Sequence, residues 1–292
     1  MKILITGGSG FIGRNLVEQF AGDFEVLAPA HSELELLDTD AVDRFFRENE
    51  VDVVIHSATR PGHRKVKDTS DLISCNTRML LNLMRNESRY RKMILLTSGA
   101  VYDSRHYLHR MKEEYFDTHV PTDDTGFSKY VCSKFSEFSD KVVELRPFGV
   151  FGKYEDWQIR FISNMICKAL FDLPLTMKQN RRFDYIYIDD LAEIIRYFIG
   201  HGSRHKAYNV TPDLSVELES LARIVLDIHG KPLEIVIDKP GMGPEYTGDN
   251  SRLHDEIDGL TFTDHREAIH RLYRWYAENR YSIEREKLLI DI

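Results

Sequence analysis

The sequence is poor in cysteine and has no long hydrophobic run. Its three cysteines, Cys75, Cys132 and Cys167, are far apart in a chain of 292 residues, which excludes a disulfide framework and a cysteine-rich metal site. Free thiols are typical of a reducing compartment, so we expect a cytoplasmic protein. No apolar stretch approaches the ~20 residues of a membrane-spanning helix. The short run after Met1 and Lys2 does not resemble a secretory signal.

Positive charge is also scarce. The chain has 39 Lys and Arg against 47 Asp and Glu, a formal net charge of -8. Nucleic acid is bound by basic surfaces, so we expect no nucleic-acid partner, and the lack of an apolar span predicts no membrane partner. The hydrophobic share of 42% and the charged share of 29% are those of an ordinary globular protein.

Short apolar runs alternate with segments of helical period through the first half of the chain. The alternation predicts βαβ units and an α/β fold, a Rossmann-type doubly wound parallel sheet. We expect a dinucleotide-binding domain over residues 1–150 and a smaller α/β substrate lobe over 151–292, with part of 183–212 returning to the first domain. Residues 240–247, rich in Gly and Pro, are predicted to form a loop. The strands are predicted at 2–6, 24–27, 51–55, 92–97 and 141–145, and the helices between them at 11–20, 40–48, 70–85 and 126–139.

A glycine motif, Gly8-x-Gly10-x-x-Gly13, joins the first predicted strand to the first predicted helix. In this context the glycines permit a tight turn, let backbone N–H groups approach a pyrophosphate, and bring the helix close to the strand. The partial positive charge of the helix N-terminus favours the same ligand. The sequence therefore predicts a dinucleotide site with contacts from Gly7, Gly10, Phe11 and Ile12.

The end of the second strand, residues 27–32, lacks the acid that usually binds the ribose 2′-hydroxyl of NAD. A 2′-phosphate meets no repulsion there, and Arg14, His31 and Ser32 are candidates to bind it. We therefore favour NADP(H) over NAD(H). The alternative is that Glu33 turns inward and takes the ribose of NAD.

Further motifs lie along nearly the whole chain. They are His56-Ser57-Ala58-Thr59, Asn76, Thr97-Ser98-Gly99-Ala100-Val101-Tyr102, Thr125-Gly126-Phe127-Ser128-Lys129, Arg146-Pro147-Phe148-Gly149-Val150-Phe151-Gly152 and Arg182-Phe183-Asp184-Tyr185-Ile186-Tyr187-Ile188-Asp189-Asp190. With these motifs the chain resembles the extended short-chain dehydrogenase/reductases, a family of nucleotide-sugar epimerases, dehydratases and reductases. Residues 31–38 are similar to those of GDP-L-fucose synthases, and dTDP-4-dehydrorhamnose reductases also lack the strand-end acid. Both are NADPH-using 4-keto reductases, which favours NADP(H).

The resemblance implies individual roles and a nucleotide-diphosphate sugar as substrate. Arg182 falls where relatives bind the diphosphate, a task that suits the guanidinium fork, although an ion pair with a nearby acid is the alternative. The resemblance also implies a homodimer formed through the helices near 70–85 and 126–139. The implied cofactor contacts are Ala58, Asn76, Thr97, Lys129 and Pro147, and the implied substrate contacts are Ser98, Gly99 and Arg182.

The catalytic tyrosine of the family is missing. The resemblance makes Ser98 the hydroxyl that positions the sugar oxygen and Lys129 the lysine, but the tyrosine position holds Thr125. The candidate catalytic residues are therefore Ser98, Lys129 and, in the place of the tyrosine, Thr125. Losing a positioned acid typically lowers the rate ~10²–10⁴-fold. Another group therefore does this work, or the protein turns over slowly, or the chain is a disabled variant.

Two replacements for the tyrosine come from nearby residues. Tyr130 and Lys134 form a shifted Tyr-x-x-x-Lys, but Tyr130 points about 140° away from Thr125 on a helix, so we interpret this motif as a chance match. Asp124 is an acid only if burial raises its pKa, and we favour a helix N-cap for the pair Asp123 and Asp124.

The two residues after Ser98 exclude the elimination of water. The dehydratases of the family have Asp-Glu there, whereas this chain has Gly99-Ala100. Ketone reduction or 4-epimerisation remains. We predict an NADP(H)-dependent reductase of a 4-keto nucleotide-diphosphate sugar in surface glycan biosynthesis. The alternatives are a 4-epimerase with bound NAD, and a catalytically impaired cofactor-binding protein.

Four basic residues after the third strand are either ligand contacts or a solvated loop: Arg60, His63, Arg64 and Lys65.

Overall fold

The computed structural model describes residues 1–62, 65 and 68–290; His63 and Arg64, named above as basic candidates, lie outside the described residues. The strands in chain order are β1 (Lys2–Thr6), β2 (Glu25–Leu27), β3 (Val53–His56), β4 (Lys92–Leu96), β5 (Val142–Pro147), β6 (Gly149–Phe151), β7 (Leu175–Asn180), β8 (Arg182–Phe183), β9 (Tyr185–Tyr187), β10 (Ala207–Val210), β11 (Val216–Glu217) and β12 (Ile235–Met242). The α-helices are α1 (Phe11–Phe20), α2 (Thr39–Glu48), α3 (Leu72–Met84), α4 (Asp124–Ser136), α5 (Phe161–Leu170), α6 (Ile188–Gly200), α7 (Leu218–His229), α8 (Ser251–Glu256) and α9 (His265–Glu278).

The central sheet is parallel throughout and has six strands in the described ranges. Their order is β10-β5-β4-β3-β1-β2. Side chains of a strand alternate between the faces of the sheet. Ile3 and Ile5 therefore share a core with Leu16 of α1 and Leu191 of α6, whereas Leu4 packs on the side of α2 and α3. Helices on both faces of a parallel sheet confirm the predicted Rossmann-type doubly wound fold.

The strand order reverses at β1, which has β2 on one side and β3 on the other. In such sheets ligands bind outside the carboxyl ends of the strands at the point of reversal. The loops that follow β1, β3, β4 and β5 all begin at this edge, because the four strands are parallel. The predicted glycine loop, Ser98 and the segment after Thr59 are thereby placed on one edge of the sheet.

After β5 the chain both returns to the sheet and forms two-stranded ribbons. β10 lies beside β5, within the range 183–212 that we expected to return to the first domain; the domain boundaries themselves stay a prediction. The ribbons pair β6 with β9, β7 with β12 and β8 with β11. β12 extends to Met242, so the prediction of a loop from residue 240 is wrong at its start, because the distant strand β7 pairs with it.

Two features of other protein classes are absent from the described residues. None of the helices found there is long and apolar enough to cross a membrane. The same part of the chain contains no group of three or more His, Cys, Asp or Glu side chains that could hold a metal ion.

Candidate active site

The glycine loop after β1 is packed so tightly that side chains do not fit. Gly7 has a φ of 71°, in the left-handed region that favours glycine. A Cβ on Gly7 would lie 2.8 Å from the backbone of Ala58, and a Cβ on Gly13 would lie 2.1 Å from the carbonyl oxygen of Gly7. The N–H of Gly10 donates to that same carbonyl at 2.9 Å. The loop therefore brings α1 directly against β1 and β3.

The N-terminus of α1 fits an anionic group. Gly10 is its N-cap, and within the described residues no side chain caps it and no acid lies in its first turn. Helix geometry leaves the N–H groups of the first turn without intrahelical acceptors, and their dipoles add partial positive charge. Phe11 and Ile12 of this turn are half-buried. Residues Gly7 to Gly13 thus fit the pyrophosphate of a dinucleotide, which is the contact predicted from the sequence.

The loop after β2 is the place where the sequence left the choice between NADP(H) and NAD(H) open, and it carries the carboxylate of Glu33. Glu33 is exposed, and its Oε2 accepts a hydrogen bond from the N–H of Ala30 at 2.7 Å. His31 is exposed and its Nε2 lies 3.0 Å from a carboxylate oxygen of Glu35. Ser32 is exposed. The candidate phosphate ligands and the competing acid are thus neighbours on one surface loop.

Arg14, the third candidate for the 2′-phosphate, lies near the start of α1. The centre of its guanidinium lies 3.6 Å from the centroid of the Tyr154 ring, a cation–π contact. Its Nε lies 3.6 Å from a carboxylate oxygen of Glu18, one helical turn later. The side chain is half exposed, so one face of the guanidinium remains accessible to an anion.

Asn76 links the loop after β3 to α4. Its Oδ1 accepts from the N–H of Arg60 at 2.6 Å, and its Nδ2 donates to the Ser128 hydroxyl at 2.9 Å. The side chain is buried. Asn76 therefore sets the position of residues 58–60 against α4. Its predicted cofactor contact, like that of Ala58, stays a prediction.

Lys129 lies on α4 beside that loop. Its ammonium donates to the Thr59 hydroxyl at 3.2 Å. Burial lowers the pKa of Lys129. Burial, together with the charge of Lys129, lowers the pKa of His56 to about 3, so His56 is neutral and its Nδ1 contacts the Thr6 hydroxyl at 2.8 Å. Lys129 is thus placed at this edge of the sheet, and its contact with a cofactor ribose stays a prediction.

Thr97 and Pro147 lie at the carboxyl ends of two neighbouring strands. The Thr97 hydroxyl donates to Glu144, whose other oxygen accepts from the Ser133 hydroxyl at 2.6 Å and from Arg146 at 2.8 Å. All four side chains are buried. This network anchors β4, β5 and α4 below the edge. The cofactor contacts of Thr97 and Pro147 stay predictions.

Ser98 follows β4 and is half-buried. Its Oγ accepts a hydrogen bond from the N–H of Ala100 at 3.1 Å, which leaves its own proton to donate. Gly99 allows this turn to pack, because a Cβ there would lie 2.8 Å from the ring of Phe148. The Gly99 carbonyl accepts from the hydroxyl of Tyr107.

Thr125 does not point its proton at Ser98. Its hydroxyl donates to the carbonyl of Gly62 at 3.0 Å, so it contacts the loop after β3. Asp123 is the N-cap of α4 and accepts from the N–H of Gly126 at 2.8 Å. Asp124 is exposed and accepts from the Thr69 hydroxyl at 2.5 Å. The catalytic role predicted for Thr125 stays a prediction.

The shifted Tyr-x-x-x-Lys motif faces a different carboxylate. The hydroxyl of Tyr130 donates to Asp117, and the ammonium of Lys134 donates to the same Asp117 at 3.1 Å. The pair thus has its own surface partner. This geometry agrees with the interpretation of the motif as a chance match.

The basic residues at the rim are paired with acids. Arg182 begins β8 and lies 3.4 Å from Glu217, and it is half exposed. Arg60 lies 3.0 Å from Asp71, and Lys65 donates to Asp156 at 2.7 Å. Arg182 therefore forms the ion pair with a nearby acid that was the alternative to a diphosphate contact. Its diphosphate contact stays a prediction.

The structure adds one side chain that the sequence analysis did not single out. The hydroxyl of Tyr246, from the segment after β12, lies 3.5 Å from Ser98 Oγ. The Tyr246 ring packs against Tyr107, Phe148 and Phe183, with centroids 4.8 to 5.0 Å away for the two phenylalanines. Ser98 and Tyr246 are 148 positions apart in the sequence, so no spacing motif could signal this contact.

A doubly wound sheet with this edge is that of a Rossmann-type enzyme with a nucleotide cofactor. The chain belongs to the NAD dependent epimerase/dehydratase family, whose sequence profile matches residues 3–211. The predicted membership of the extended short-chain dehydrogenase/reductases, and with it an NAD(P)-dependent enzyme of the nucleotide-sugar class, is thereby confirmed.

Individual relatives are distant in sequence. A GDP-L-colitose synthase of Yersinia pseudotuberculosis is 22% identical over 265 residues, which cover 82% of this chain and 85% of that protein. The structure of a GDP-L-fucose synthetase from Naegleria fowleri bound to NADP superposes with a TM-score of 0.85 at 15% identity, over 96% of this chain and 94% of the other. A GDP-6-OMe-4-keto-L-xylo-heptose reductase from C. jejuni superposes with a TM-score of 0.82 at 18% identity, over 95% and 98%.

Proposed function

We propose that the protein is an NADP(H)-dependent reductase of a 4-keto nucleotide-diphosphate sugar in surface glycan biosynthesis. The observation that carries the proposal is Ser98, whose hydroxyl is held at the ligand edge by the N–H of Ala100 and is free to donate. Gly99 and Ala100 stand where, by the resemblance, the dehydratases of the family have an Asp-Glu pair for the elimination of water. The site is thus equipped for redox chemistry at one carbon. The similarity in fold to the 4-keto-heptose reductase supports this class of reaction.

The residues of the chain divide the work of a ketone reduction. When bound, the reduced nicotinamide supplies the hydride for the carbonyl carbon. The Ser98 hydroxyl donates to the carbonyl oxygen and stabilises the negative charge that develops there. The Lys129 ammonium holds the cofactor ribose and adds positive charge at the same edge. Arg182 exchanges Glu217 for the diphosphate of the sugar nucleotide, since a guanidinium fork matches phosphate oxygens.

The preference for NADP(H) is supported by the face of Arg14 that remains exposed and by the position of His31 and Ser32 on the neighbouring loop. Glu33 opposes it, because its carboxylate lies near the same place. The fucose synthetase with bound NADP has the same fold. Titration of the protein with NADPH and with NADH in parallel tests the preference; tighter binding of NADH would overturn it.

A homodimer is supported by the exposed surface of α3 and α4, two helices that lie side by side. Leu81 of α3 is 37% exposed, and Phe138, just after α4, is 83% exposed. Leu81, Met84 and Phe138 line one shallow groove. We propose that a second copy covers this groove, so that the two helices of each protomer form a four-helix bundle.

The direct test is incubation of the purified protein with NADPH and a panel of nucleotide 4-keto sugars, followed by absorbance at the reduced nicotinamide band. Oxidation of NADPH that depends on one sugar supports the proposal. Protein that purifies with NAD and interconverts 4-epimers without added reductant would identify an epimerase. Turnover that appears only in Thr125→Tyr would identify a catalytically impaired chain.

A further inference from the structure

Two hydroxyls converge on one point of the site, although distant parts of the chain supply them. The oxygens of Ser98 and Tyr246 are 3.5 Å apart, the outer limit of a hydrogen bond. Oxygens at this separation can both donate to a third oxygen placed at ~2.8 Å from each of them. A carbonyl oxygen between them would therefore receive two hydrogen bonds.

The position of Tyr246 is fixed by its backbone and its ring. Its N–H donates to the carbonyl of Arg182 at 3.0 Å, and its own carbonyl accepts from the N–H of Asp184 at 3.1 Å. The ring packs between Tyr107 and Phe183, with centroids 5.1 and 4.8 Å away. These contacts hold the hydroxyl in place, as a group that acts in a transition state requires.

The competing hydroxyls of the region are already bound to other acceptors. Thr125 donates to the Gly62 carbonyl at 3.0 Å, and Tyr130 donates to Asp117. Tyr107 donates to the Gly99 carbonyl. Tyr246 is the phenol that lies at Ser98.

We propose that Tyr246 is the proton donor of the ketone reduction and replaces the tyrosine that the family has at position 125. This inference rests on the proposed reductase function. The carbonyl carbon gains two electrons and a hydrogen as the hydride of the reduced dinucleotide, and the π pair of the C=O bond moves to oxygen. That oxygen takes the proton of Tyr246, whose O–H bond breaks. Water then returns a proton to the phenolate.

The charge state of Tyr246 agrees with an acid rather than a base. Burial raises the pKa of Tyr246 to about 12, against the opposite effect of the Ser98 and Tyr107 hydroxyls. The other titratable groups that act on it are Asp184 and Asp123, whose charges also raise the pKa. The phenol is therefore protonated at neutral pH, which suits ketone reduction and not the oxidation that begins an epimerisation.

The deciding variant is Tyr246→Phe, which keeps the ring and removes only the hydroxyl. We expect kcat to fall ~10²–10⁴-fold, with NADPH affinity and thermal midpoint close to those of the wild type. Tyr130→Phe is the matched control, since it removes a phenol bound to Asp117, and should keep the wild-type kcat. The fall in kcat should be at least tenfold smaller for Thr125→Val than for Tyr246→Phe.

A second measurement does not depend on turnover. A 4-keto sugar labelled with ¹³C at the carbonyl is bound to the protein in the presence of NADP⁺, and its infrared carbonyl band is recorded. Two hydrogen bonds polarise the carbonyl and move the band to lower wavenumber, so Tyr246→Phe should move it back towards the free value, whereas Tyr130→Phe should not.

The outcomes separate the two proposals. If the wild type reduces a keto sugar while Tyr246→Phe keeps its kcat and its carbonyl band, the role of Tyr246 is overturned and the reductase function stands. If the wild type neither binds NADPH nor reduces any sugar, the reductase function fails and the role of Tyr246 fails with it. Turnover gained only in Thr125→Tyr also overturns the role of Tyr246.

Discussion

The Thr125 hydroxyl donates to the carbonyl of Gly62 at 3.0 Å, so the loop after β3 lies against the position where the family has its tyrosine. A Cβ on Gly62 would lie 2.4 Å from the Thr125 oxygen. Glycine at 62 and a short hydroxyl at 125 therefore depend on each other. The site is built around the smaller residue at position 125.

This relationship leads to a prediction for Gly62→Ala. The added methyl would meet both Thr125 and the Leu72 side chain at 2.4 Å, and overpacking of this kind costs roughly 1–3 kcal/mol. We expect a lower free energy of unfolding in urea. Gly202→Ala is the control, because nothing lies within 4 Å of a Cβ there. Equal stability of the two variants would contradict the packing at Gly62.

The glycine loop predicts a loss of cofactor affinity in Gly13→Ala. Its Cβ would lie 2.1 Å from the Gly7 carbonyl and would push α1 away from the loop, so the N–H groups that face the pyrophosphate separate. We expect NADPH to bind at least about tenfold more weakly by calorimetry, a change of ~1.4 kcal/mol. Gly22→Ala, with nothing within 4 Å of the new Cβ, should bind like the wild type.

The cofactor preference predicts opposite effects of two variants. Arg14→Gln removes the cation that we assign to the 2′-phosphate, so it should weaken NADPH roughly tenfold more than NADH. Glu33→Gln removes the opposing charge next to Ala30, so it should favour NADPH. Dissociation constants of both nucleotides for both proteins measure this. Equal loss of NADPH and NADH in Arg14→Gln would show that Arg14 does not bind the phosphate.

Buried Asp184 predicts a pH dependence of stability. Burial raises the pKa of Asp184 to about 7, against the N–H of Gly248 that donates to it at 2.8 Å. The folded pKa exceeds the unfolded value near 3.9. The stability that the neutral acid contributes is therefore complete below pH 4 and lost as the pH rises towards 7. Relative to Asp184→Asn, the wild type should lose more than about 1 kcal/mol of unfolding free energy between pH 4 and 7. Parallel curves would contradict the raised pKa.

The proposed dimer predicts that Phe138→Asp weakens self-association. The substitution places a charge in the groove shared with Leu81, and desolvating an unpaired carboxylate opposes association. We expect the dimer dissociation constant from sedimentation to rise at least about tenfold. Leu214→Asp is the matched control, since Leu214 is 78% exposed and does not line this groove. A monomeric wild type would exclude the dimer.

Much of the fold follows from local sequence patterns. The strand runs of the first half predict β1 and β4 almost to the residue, because a strand buried on both faces needs an unbroken apolar segment. β7, β12 and the pairing of β10 with β5 could not be predicted, because their strand partners lie far away in the chain. Residues 240–242 were predicted as loop for this reason.

The candidate site likewise has a part that the sequence predicts and a part that it does not. The motifs predict that the glycine loop, Ser98 and Lys129 lie at one edge of the sheet. This prediction is possible because each motif can be assigned to a strand end or a helix from the sequence around it. The sequence could not show that Thr125 donates to Gly62, that Asn76 links the loop to α4, or that Arg182 pairs with Glu217. Each of these contacts joins segments that are far apart in the sequence and meet only when the chain folds.

The sequence by itself determined the class of fold and the presence of Thr125 where the family has its tyrosine, and it predicts the place of the dinucleotide, because glycine spacing, apolar period and residue identity are local properties. Only the tertiary structure decided which phenol lies beside Ser98. Tyr246 reaches the site because its backbone bonds to Arg182 and Asp184 and its ring packs on Phe148 and Phe183. Contacts over such a separation are stabilised by the whole packed lobe and not by any motif.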